Sequence, residues 1–430
     1  MLTPFHEMVS YYEAARQEKL MAPYSLKESP MTLSPFPTLF ASGATVAGSF
    51  RPIFIVTGCC LLLCVVAATL TISASPAAGG ELEDKLAEIC KSKDVPGIFA
   101  ASIGPGGIIE SATTGVRKRG TEDAITPADQ FALGSNSKAF TATLAAVLVD
   151  DGAIDWSSTI SEVWPDQPVH GGFKDVTLEQ LLSHTGGLQG DLPNGPEWIS
   201  FFTERLKPEQ QRARMCYLLL TKPPQGTIGK FDYSNLGYVV VAAMLEERGK
   251  KPFEQLMQER VFKPLGMNNT EFYSAKKLNR AKDALLWGHE TDGGDPIKPG
   301  TLGSENPTVY ASCGTIRTTI SDWAKFIGWH LNETAAPVLK NDKTLRHLHE
   351  GVADRKGGDE KYGFGWIHFK SSFGRTLQHA GNNTNQFSLV WVMPEAKRAT
   401  IVATNTGEKQ AFPACDAATA ELMKSPAFKK

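Results

Sequence analysis

The chain has 430 residues, of which 42% are hydrophobic and 21% are charged, and this ordinary globular composition excludes wholesale disorder and a protein with many membrane spans. The 44 basic and 46 acidic side chains give a formal net charge of -2, which excludes the strong positive field that attracts nucleic acid, so we expect no nucleic-acid partner. Seven cysteines are too few for a disulfide scaffold in a chain of this length.

The N-terminal region has the composition of a targeting segment. Residues 1–50 are rich in Ser, Pro and Gly and show no sustained hydrophobic period. We expect either a disordered extension or residues encoded upstream of the start codon that the cell uses. Ile53 to Ile72 is a run of twenty uncharged residues, long enough to cross a bilayer once. Arg51 precedes it and small residues follow, so residues 51–78 are predicted to be a cleaved signal peptide or a single membrane anchor. The protein is then exported, either to the periplasm or extracellular space or anchored to the membrane.

Residues 79–430 are predicted to form the folded domain. The predicted elements are, in chain order, a helix at 81–92, a hairpin of strands 97–103 and 108–117, a buried helix at 135–151, a mostly helical stretch from about 155 to 280 with its clearest helices at 237–248 and 252–262, a surface loop at 285–310, strands at 376–380, 386–393 and 398–404, and a closing helix at 410–424. Strands at both ends with helices between them favour an α/β (α+β) fold, in which one antiparallel sheet is flanked by helices and an all-helical domain is inserted.

The predicted buried helix opens with Ser135-Asn136-Ser137-Lys138. The i, i+3 spacing places Ser135 and Lys138 on one face, within reach of a hydrogen bond. A serine hydroxyl is a weak nucleophile until a base accepts its proton, and a desolvated lysine beside a helix N-terminus is a candidate base because its pKa is lowered. The structural alternative is a capping serine with an unrelated lysine, and the segment from Ser274 to Lys277 has the same spacing.

Two further triplets carry side chains that suit catalysis. Tyr233-Ser234-Asn235 precedes a predicted helix, and its phenol can move protons while its amide can bind a carbonyl; core packing and helix capping are the alternative. His379-Ala380-Gly381 is expected on an edge-like strand, where Gly381 lets a substrate approach the backbone closely. His184, in another His-x-Gly triplet, is interpreted as structural.

Taken in order, the three motifs resemble the signature of serine β-lactamases and penicillin-binding proteins. The resemblance is strongest to the branch that holds class C β-lactamases, D-Ala-D-Ala carboxypeptidases, and related esterases and D-aminopeptidases. The segments FALGSNSKAFTA, LEQLLSHTGGL, DYSNLGYVVVAAMLE, VFKPLGM and YGFGW agree with it, and it covers roughly residues 82–424. It implies a β-lactamase/transpeptidase-like fold with the site in the cleft between the sheet and the helical domain.

The resemblance also implies a role for each motif residue. Ser135 would be the acylated nucleophile, Lys138 would take its proton, and Tyr233 would relay that proton to the leaving group. Four residues would bind the substrate. Asn235 would bind an amide carbonyl, and His379 and Gly381 would line the site. The backbone N–H of Asn382 would complete an oxyanion hole with that of Ser135.

One departure from the family pattern bears on the substrate. Class C β-lactamases carry Lys-Thr-Gly where this chain has His379-Ala380-Gly381, and neither a neutral histidine nor Ala380 binds a β-lactam carboxylate well. We therefore expect an exported acyl-serine hydrolase of carboxypeptidase or esterase type that cleaves a small-molecule or peptide acyl substrate. The alternative is a penicillin-binding or cell-wall binding protein of the same fold that does not hydrolyse its ligand.

No metal or cofactor is expected, because no Cys or His has the spacing of a metal site and neither HExxH nor GxGxxG occurs. In the fold that the resemblance implies, Cys90 and Cys415 lie on helices that pack side by side. Either a disulfide joins them or both are buried thiols.

Overall fold

The computed structural model describes residues 80–273, 285–290, 294–332, 334–355, 359–383, 385–407 and 409–429. These residues fall in one compact unit. The predicted extension at 1–50 and the predicted signal peptide or anchor at 51–78 lie outside the described residues. Within the described ranges, no helix combines the length and the apolar character that a membrane span requires.

The strands form one large sheet and two small ones. Their bounds are β1 Gly97–Gly104, β2 Gly107–Gly115, β3 Phe131–Ala132, β4 Glu271–Phe272, β5 Gly288–His289, β6 Pro296–Ile297, β7 Ile316–Thr318, β8 Ala353–Asp354, β9 Lys361–Gly363, β10 Trp366–Ser371, β11 Gly374–Asn382, β12 Phe387–Met393 and β13 Arg398–Thr404. The large sheet has the order β2-β1-β13-β12-β11-β10-β9-β8, and every neighbouring pair is antiparallel. Strands from both ends of the folded region therefore meet in one sheet, as the sequence predicts.

Helices account for most of the remaining chain. Their bounds are α1 Gly80–Lys93, α2 Ser137–Asp150, α3 Ile160–Val163, α4 Leu178–Leu182, α5 Pro196–Thr203, α6 Pro208–Leu220, α7 Asn235–Gly249, α8 Phe253–Met257, α9 Ala311–Gly314, α10 Ile320–Asn332, α11 Asp342–His347, α12 Ala411–Lys424 and α13 Pro426–Lys429. Helices α3 to α8 form the helical region between β3 and β4. The predicted antiparallel sheet flanked by helices, with a helical insertion, is thus the observed fold.

Both faces of the large sheet are covered, which explains why β1 is apolar at nearly every position. All eight residues of β1 are buried. Phe99, Ala101 and Ile103 face the main core, which includes α10 and the helical region. Helices α1 and α12 pack against each other and against the sheet. A strand with both faces buried cannot show the apolar–polar alternation of a half-exposed strand.

Helix α2 lies at the centre of the molecule. Every residue from Ser137 to Leu148 is buried, and α2 contacts α7, α9 and α11. This agrees with the apolar character of the segment on nearly every side, which predicts a helix without an exposed face. Whatever chemistry the first turn of α2 carries is therefore screened from solvent.

The segment at 285–310, predicted as a surface loop, is partly buried instead. It contains β5 and β6, and the side chains of His289 and Glu305 are buried. The His289 ring donates from Nδ1 to the Asn405 carbonyl at 2.7 Å, and Glu305 pairs with Arg317. Because these polar groups have partners, parts of a segment rich in Gly, Asp and Pro can be buried, while residues 295–303 stay partly or fully exposed.

The two cysteines considered for a disulfide are both free thiols. Cys90 on α1 and Cys415 on α12 lie on helices that pack side by side, as the resemblance implies. Burial raises the pKa of the Cys90 thiol to about 12, so it is not an activated thiolate. The structure thus corresponds to the second alternative, two thiols that pack as small apolar groups.

Several histidines are buried in their neutral form. His330 Nδ1 and His349 Nε2 are 2.8 Å apart, so one ring donates an N–H to the other. Burial lowers the pKa of His330 to about 3 and that of His368 to about 4, and it holds the pKa of His349 well below its ordinary value. Protonating any of these rings in the folded protein would place a charge in the interior.

We expect the folded protein to lose stability as pH falls from about 6.5 towards 3. In this window the unfolded chain binds protons at His330 and His368 that the folded chain does not bind, and each such site contributes about 1.4 kcal/mol per pH unit. Urea unfolding at pH 7 and pH 4.5 should show a smaller loss for His330→Gln than for wild type. Exposed His170, replaced by Asn, is the control and should keep the wild-type slope. Equal losses in the three proteins would contradict the assignment.

Candidate active site

The first turn that precedes α2 carries Ser135 and is fixed by backbone contacts. The Leu133 N–H donates to the Ile316 carbonyl at 2.9 Å, next to the pairing of β3 with β7. The chain then passes through a 3-10 turn, Gly134–Asn136, before the α-helix begins at Ser137. The predicted helix start at Ser135 is therefore a tighter turn that leads into the helix.

This turn lies directly against the end of strand β11. Gly134 has φ of +51°, and a Cβ there would lie 2.6 Å from the Asn382 nitrogen. A Cβ on Gly381 would lie 1.9 Å from the Leu133 carbonyl oxygen and 2.9 Å from the Ser135 nitrogen. Both positions require glycine, and the backbone N–H groups of Ser135 and Asn382 are thereby brought close together.

Three side chains that the sequence analysis did not single out hold this turn to the sheet. Asn136 Nδ2 donates to Ser388 Oγ on β12 at 2.7 Å, and Ser388 Oγ donates to the Leu133 carbonyl at 2.9 Å. The Ala132 N–H donates to Gln386 Oε1 at 2.8 Å. The position of Ser135 relative to β11 and β12 is therefore set by hydrogen bonds on both sides of the turn.

Lys138 is fully buried, and its amine is within hydrogen-bond distance of Ser135. Nζ lies 3.1 Å from Ser135 Oγ, 2.6 Å from Asn235 Oδ1 and 3.3 Å from the Cys313 carbonyl oxygen. Burial lowers the pKa of Lys138 to about 8, although the negative charge of Asp191 acts in the opposite direction. At neutral pH the Lys138 amine is then uncharged in part of the molecules, and in this form it can accept a proton from the Ser135 hydroxyl.

Tyr233 lies beside the amine of Lys138. Nζ is 4.7 Å from the centroid of the Tyr233 ring, and the ring centroid of His184 is 4.3 Å from that of Tyr233. Ser234 caps helix α7, because its Oγ accepts from the Gly237 N–H at 2.9 Å and donates to the Gln189 carbonyl at 2.6 Å. The triplet therefore places Tyr233 and Asn235 on either side of a fixed helix cap.

His184 has the structural role interpreted from the sequence. It is buried, and its Nδ1 accepts from the Ser234 N–H at 3.1 Å. Its ring packs among Tyr233, Tyr238 and Tyr362. Burial holds the pKa of His184 well below its ordinary value, so the ring packs as a neutral group behind Tyr233.

The predicted edge-like strand is interior to the sheet, but its last residues act as an edge. Strand β11 lies between β10 and β12, and its pairing with β10 ends at Gln378, whereas its pairing with β12 continues to Asn382. Residues from His379 onward therefore extend past β10. The prediction that β11 is an edge strand is therefore wrong for the strand as a whole. It holds only for the last residues of β11, which include His379 and Gly381.

His379 is buried and neutral. Its Nδ1–H donates to the Ala380 carbonyl at 2.7 Å, and its Nε2 accepts from the Tyr362 hydroxyl at 3.1 Å. Burial, reinforced by the positive charge of Lys138, lowers the pKa of His379 to about 3. Both ring nitrogens are thus occupied, and the side chain supports the wall of the site.

Asp191 and Tyr310 belong to the site and were not found by sequence reasoning. Asp191 Oδ1 accepts from Asn235 Nδ2 at 2.8 Å and from the Tyr310 hydroxyl at 2.9 Å. Both lie in segments without a motif of their own. The nearest signal is the family-like segment LEQLLSHTGGL, which ends three residues before Asp191.

Of the candidates, the structure brings Ser135, Lys138, Tyr233 and Asn235 to one place, with Gly381 and Asn382 against the turn of the serine. His379 lies behind this group. Among the described residues, no cluster of His, Cys, Asp or Glu side chains could hold a metal ion. The arrangement can activate a serine hydroxyl for attack on an acyl carbon.

Known structures with this fold include penicillin-binding protein relatives. The octameric penicillin-binding protein homologue from Pyrococcus abyssi matches with a TM-score of 0.64 and 22% identity, covering 81% of this chain and 77% of that one. The D-alanine carboxypeptidase AmpC from Burkholderia cenocepacia matches with a TM-score of 0.62 and 18% identity, covering 80% of this chain and 100% of that one. At these identities the likeness concerns the fold alone.

Sequence comparisons agree with the fold. Penicillin-binding protein 4 of Amycolatopsis lactamdurans is 27% identical over 331 residues, which is 74% of this chain and 83% of that protein. Protein flp of Staphylococcus aureus (strain MW2) is 25% identical over 285 residues, which is 65% of this chain but only 53% of that protein. The family model named Beta-lactamase matches residues 82–424, most of the chain. The chain therefore belongs to the beta-lactamase family.

Proposed function

We propose that the protein is an exported serine hydrolase that cleaves an ester or amide through an acyl-enzyme on Ser135. The observation that carries the proposal is the 3.1 Å distance between Lys138 Nζ and Ser135 Oγ in a site where burial lowers the pKa of Lys138 to about 8. A structural ammonium would also accept such a neighbour, but it would not need the lowered pKa that lets a lysine take a proton from the hydroxyl. The name of one relative, penicillin-binding protein 4, supports the same class of chemistry.

In the acylation step, the Ser135 hydroxyl gives its proton to Lys138 while Oγ forms a bond to the acyl carbon. The bond from that carbon to the leaving oxygen or nitrogen then breaks, and the leaving group receives the proton by way of Tyr233. The negative charge that develops on the carbonyl oxygen is stabilised by the backbone N–H groups of Ser135 and Asn382. Asn235 orients the lysine through Oδ1, and the second N–H of its Nδ2, the first being donated to Asp191, is the proposed donor to the substrate amide carbonyl.

In the deacylation step, water attacks the Ser135 ester and loses its proton to the Lys138–Tyr233 pair. The bond between the acyl carbon and Ser135 Oγ then breaks, and Oγ takes a proton back from the Lys138–Tyr233 pair. The acid product leaves. A protein of this family that binds without hydrolysing would stop before this step, so the rate of deacylation distinguishes the proposed enzyme from a penicillin-binding or cell-wall binding protein.

The neutral wall of the site favours an acyl donor without a carboxylate at the position where β-lactams carry one. His379 is uncharged, because both burial and Lys138 lower its pKa, and Ala380 has no hydroxyl. An ester or a peptide therefore fits the site better than a β-lactam. Export is part of the proposal, and it rests on the composition of residues 51–78.

The covalent step can be tested with an activated ester and a β-lactam on the purified 79–430 fragment. We expect mass spectrometry to show one acyl adduct, on the peptide that carries Ser135, and none in Ser135→Ala. Ser274→Ala is the matched control, because Ser274 has the same spacing to a lysine, and it should be acylated like wild type. An adduct on the Ser274 peptide would reject the assignment of the nucleophile.

The base can be tested by comparing Lys138→Ala with His379→Ala. We expect kcat to fall by about 10²- to 10⁴-fold for Lys138→Ala, and by less for His379→Ala, because only the lysine moves protons. In wild type, kcat/KM should rise with pH through a limb near 8, since the neutral form of Lys138 accepts the proton. A larger loss at His379 would show that the histidine is the base.

The contact between the serine turn and β11 can be tested with Gly381→Ala. The added Cβ would lie 1.9 Å from the Leu133 carbonyl oxygen, so the strand and the turn must separate and the two N–H groups move apart. We expect kcat to fall at least tenfold, on the scale of an oxyanion-hole defect, with a smaller change in KM. Gly237→Ala is the control, because a Cβ there meets no atom closer than 3.5 Å. Equal activities of the two variants would contradict the role of this contact.

A further inference from the structure

We propose that Asp191 is a positioning residue for the hydrolysis, because its carboxylate holds the amide of Asn235 in the one orientation that presents Oδ1 to Lys138. The kinetic part of this inference rests on the proposed function, and its electrostatic part does not. None of the three sequence motifs contains Asp191, and its role is visible only from the contacts that surround Asn235.

The orientation of the Asn235 amide is fixed by charges at both of its ends. Lys138 Nζ, a donor, lies 2.6 Å from Oδ1, and Asp191 Oδ1, an acceptor, lies 2.8 Å from Nδ2. A flipped amide would place its N–H₂ against the ammonium and its oxygen against the carboxylate, so both contacts would become repulsive. Without the carboxylate, only the lysine end would determine the orientation.

The Asp191 carboxylate is itself held in place. The Tyr310 hydroxyl donates to the same Oδ1 at 2.9 Å. The two residues before Asp191 are bound to the cap of α7, because Ser234 Oγ donates to the Gln189 carbonyl at 2.6 Å and the Asn235 N–H donates to the Gly190 carbonyl at 2.8 Å. The loop that carries Asp191 is thus attached to the first turn of the helix that carries Asn235, and the carboxylate cannot move away from the amide while this turn is intact.

Asp191 also acts on Lys138 through its charge. The described groups that face the ammonium are the Tyr233 and Tyr238 rings, the Cys313 carbonyl and thiol, the His184 and His379 rings, and Asp191. Both histidines are neutral, and burial raises the pKa of Cys313 to about 12, so its thiol is neutral as well. Asp191 is the carboxylate of this set, and its charge opposes the effect of burial on the lysine.

Two separate consequences follow for the variant Asp191→Asn. Loss of the negative charge destabilises the protonated lysine, so the acidic limb of kcat/KM should move to lower pH by about 0.5 to 1 unit. The substituted amide is a weaker acceptor than the carboxylate and presents an N–H₂ when it flips, so the Asn235 amide is held less firmly and the plateau kcat should fall by about 10- to 100-fold. If Asp191 only stabilised the loop, its substitution would lower the plateau kcat and leave the acidic limb of kcat/KM at the wild-type pH.

The kinetic test measures kcat/KM against pH for a p-nitrophenyl ester with wild type, Asp191→Asn, Tyr310→Phe and Asp232→Asn. Tyr310→Phe keeps the charge of Asp191 and removes one neutral hydrogen bond, so its limb should stay at the wild-type pH. Exposed Asp232 precedes Tyr233, and Asp232→Asn is the matched control for loss of one negative charge near the site. A limb for Asp191→Asn that coincides with that of wild type would overturn the inference.

A second measurement separates the inference from the proposed function. Protein labelled with ¹³Cε-lysine is titrated by NMR, and the Lys138 signal is assigned by its loss in Lys138→Met. A Lys138 pKa that is lower in Asp191→Asn than in wild type, in a protein that hydrolyses neither esters nor peptides, would reject the proposed function and support the electrostatic role of Asp191. Equal lysine pKa values in an active enzyme would reject the role of Asp191 and leave the proposed function standing.

Discussion

The organisation of the site depends on a lysine amine that water does not reach. A buried amine needs hydrogen-bond acceptors, and for Lys138 these come from three parts of the chain: Ser135 on the same helical face, Asn235 at the start of α7, and the Cys313 carbonyl in α9. Thr141 Oγ1, one turn further along α2, donates to the Ser312 carbonyl at 2.6 Å and fixes α9 next to the amine. The requirement to satisfy one buried cation thus aligns three segments that are distant in sequence.

A second constraint, the close approach of backbones, sets where these segments meet the sheet. Gly134 and Gly381 permit contact between the serine turn and β11. Gly365, with φ of +85°, permits a similar contact between the YGFGW segment and α2, since a Cβ there would lie 2.4 Å from the Ala139 nitrogen. The first turn of α2 is therefore enclosed by main chain on two sides, which excludes water from Lys138 and explains why burial dominates its pKa.

The sequence predicted those parts of the site that depend on local geometry. The Ser135–Lys138 pair follows from helical spacing, and the strands at both ends of the folded region follow from their composition. Asp191 could not be predicted, because its loop is held at the site by hydrogen bonds from Ser234 and Asn235, which are distant in sequence. The burial of Glu305 in the 285–310 segment was missed for the same reason, since its partners, Arg317 and Asn383, come from other elements.

The charges around the site bear on which ligands it can hold. Burial keeps His184 and His379 neutral, so Lys138 is the one cationic side chain in direct contact with Ser135 among the described residues. Arg355 acts on both histidines from further away, but its Nη1 donates to Glu360 at 2.6 Å, which offsets its charge. With Asp191 on the opposite side of Asn235, the positive charge of Lys138 is opposed by a nearby carboxylate. For the proposed hydrolysis, this arrangement favours substrates that are recognised by shape and by hydrogen bonds to neutral acyl groups over substrates that depend on an anionic group.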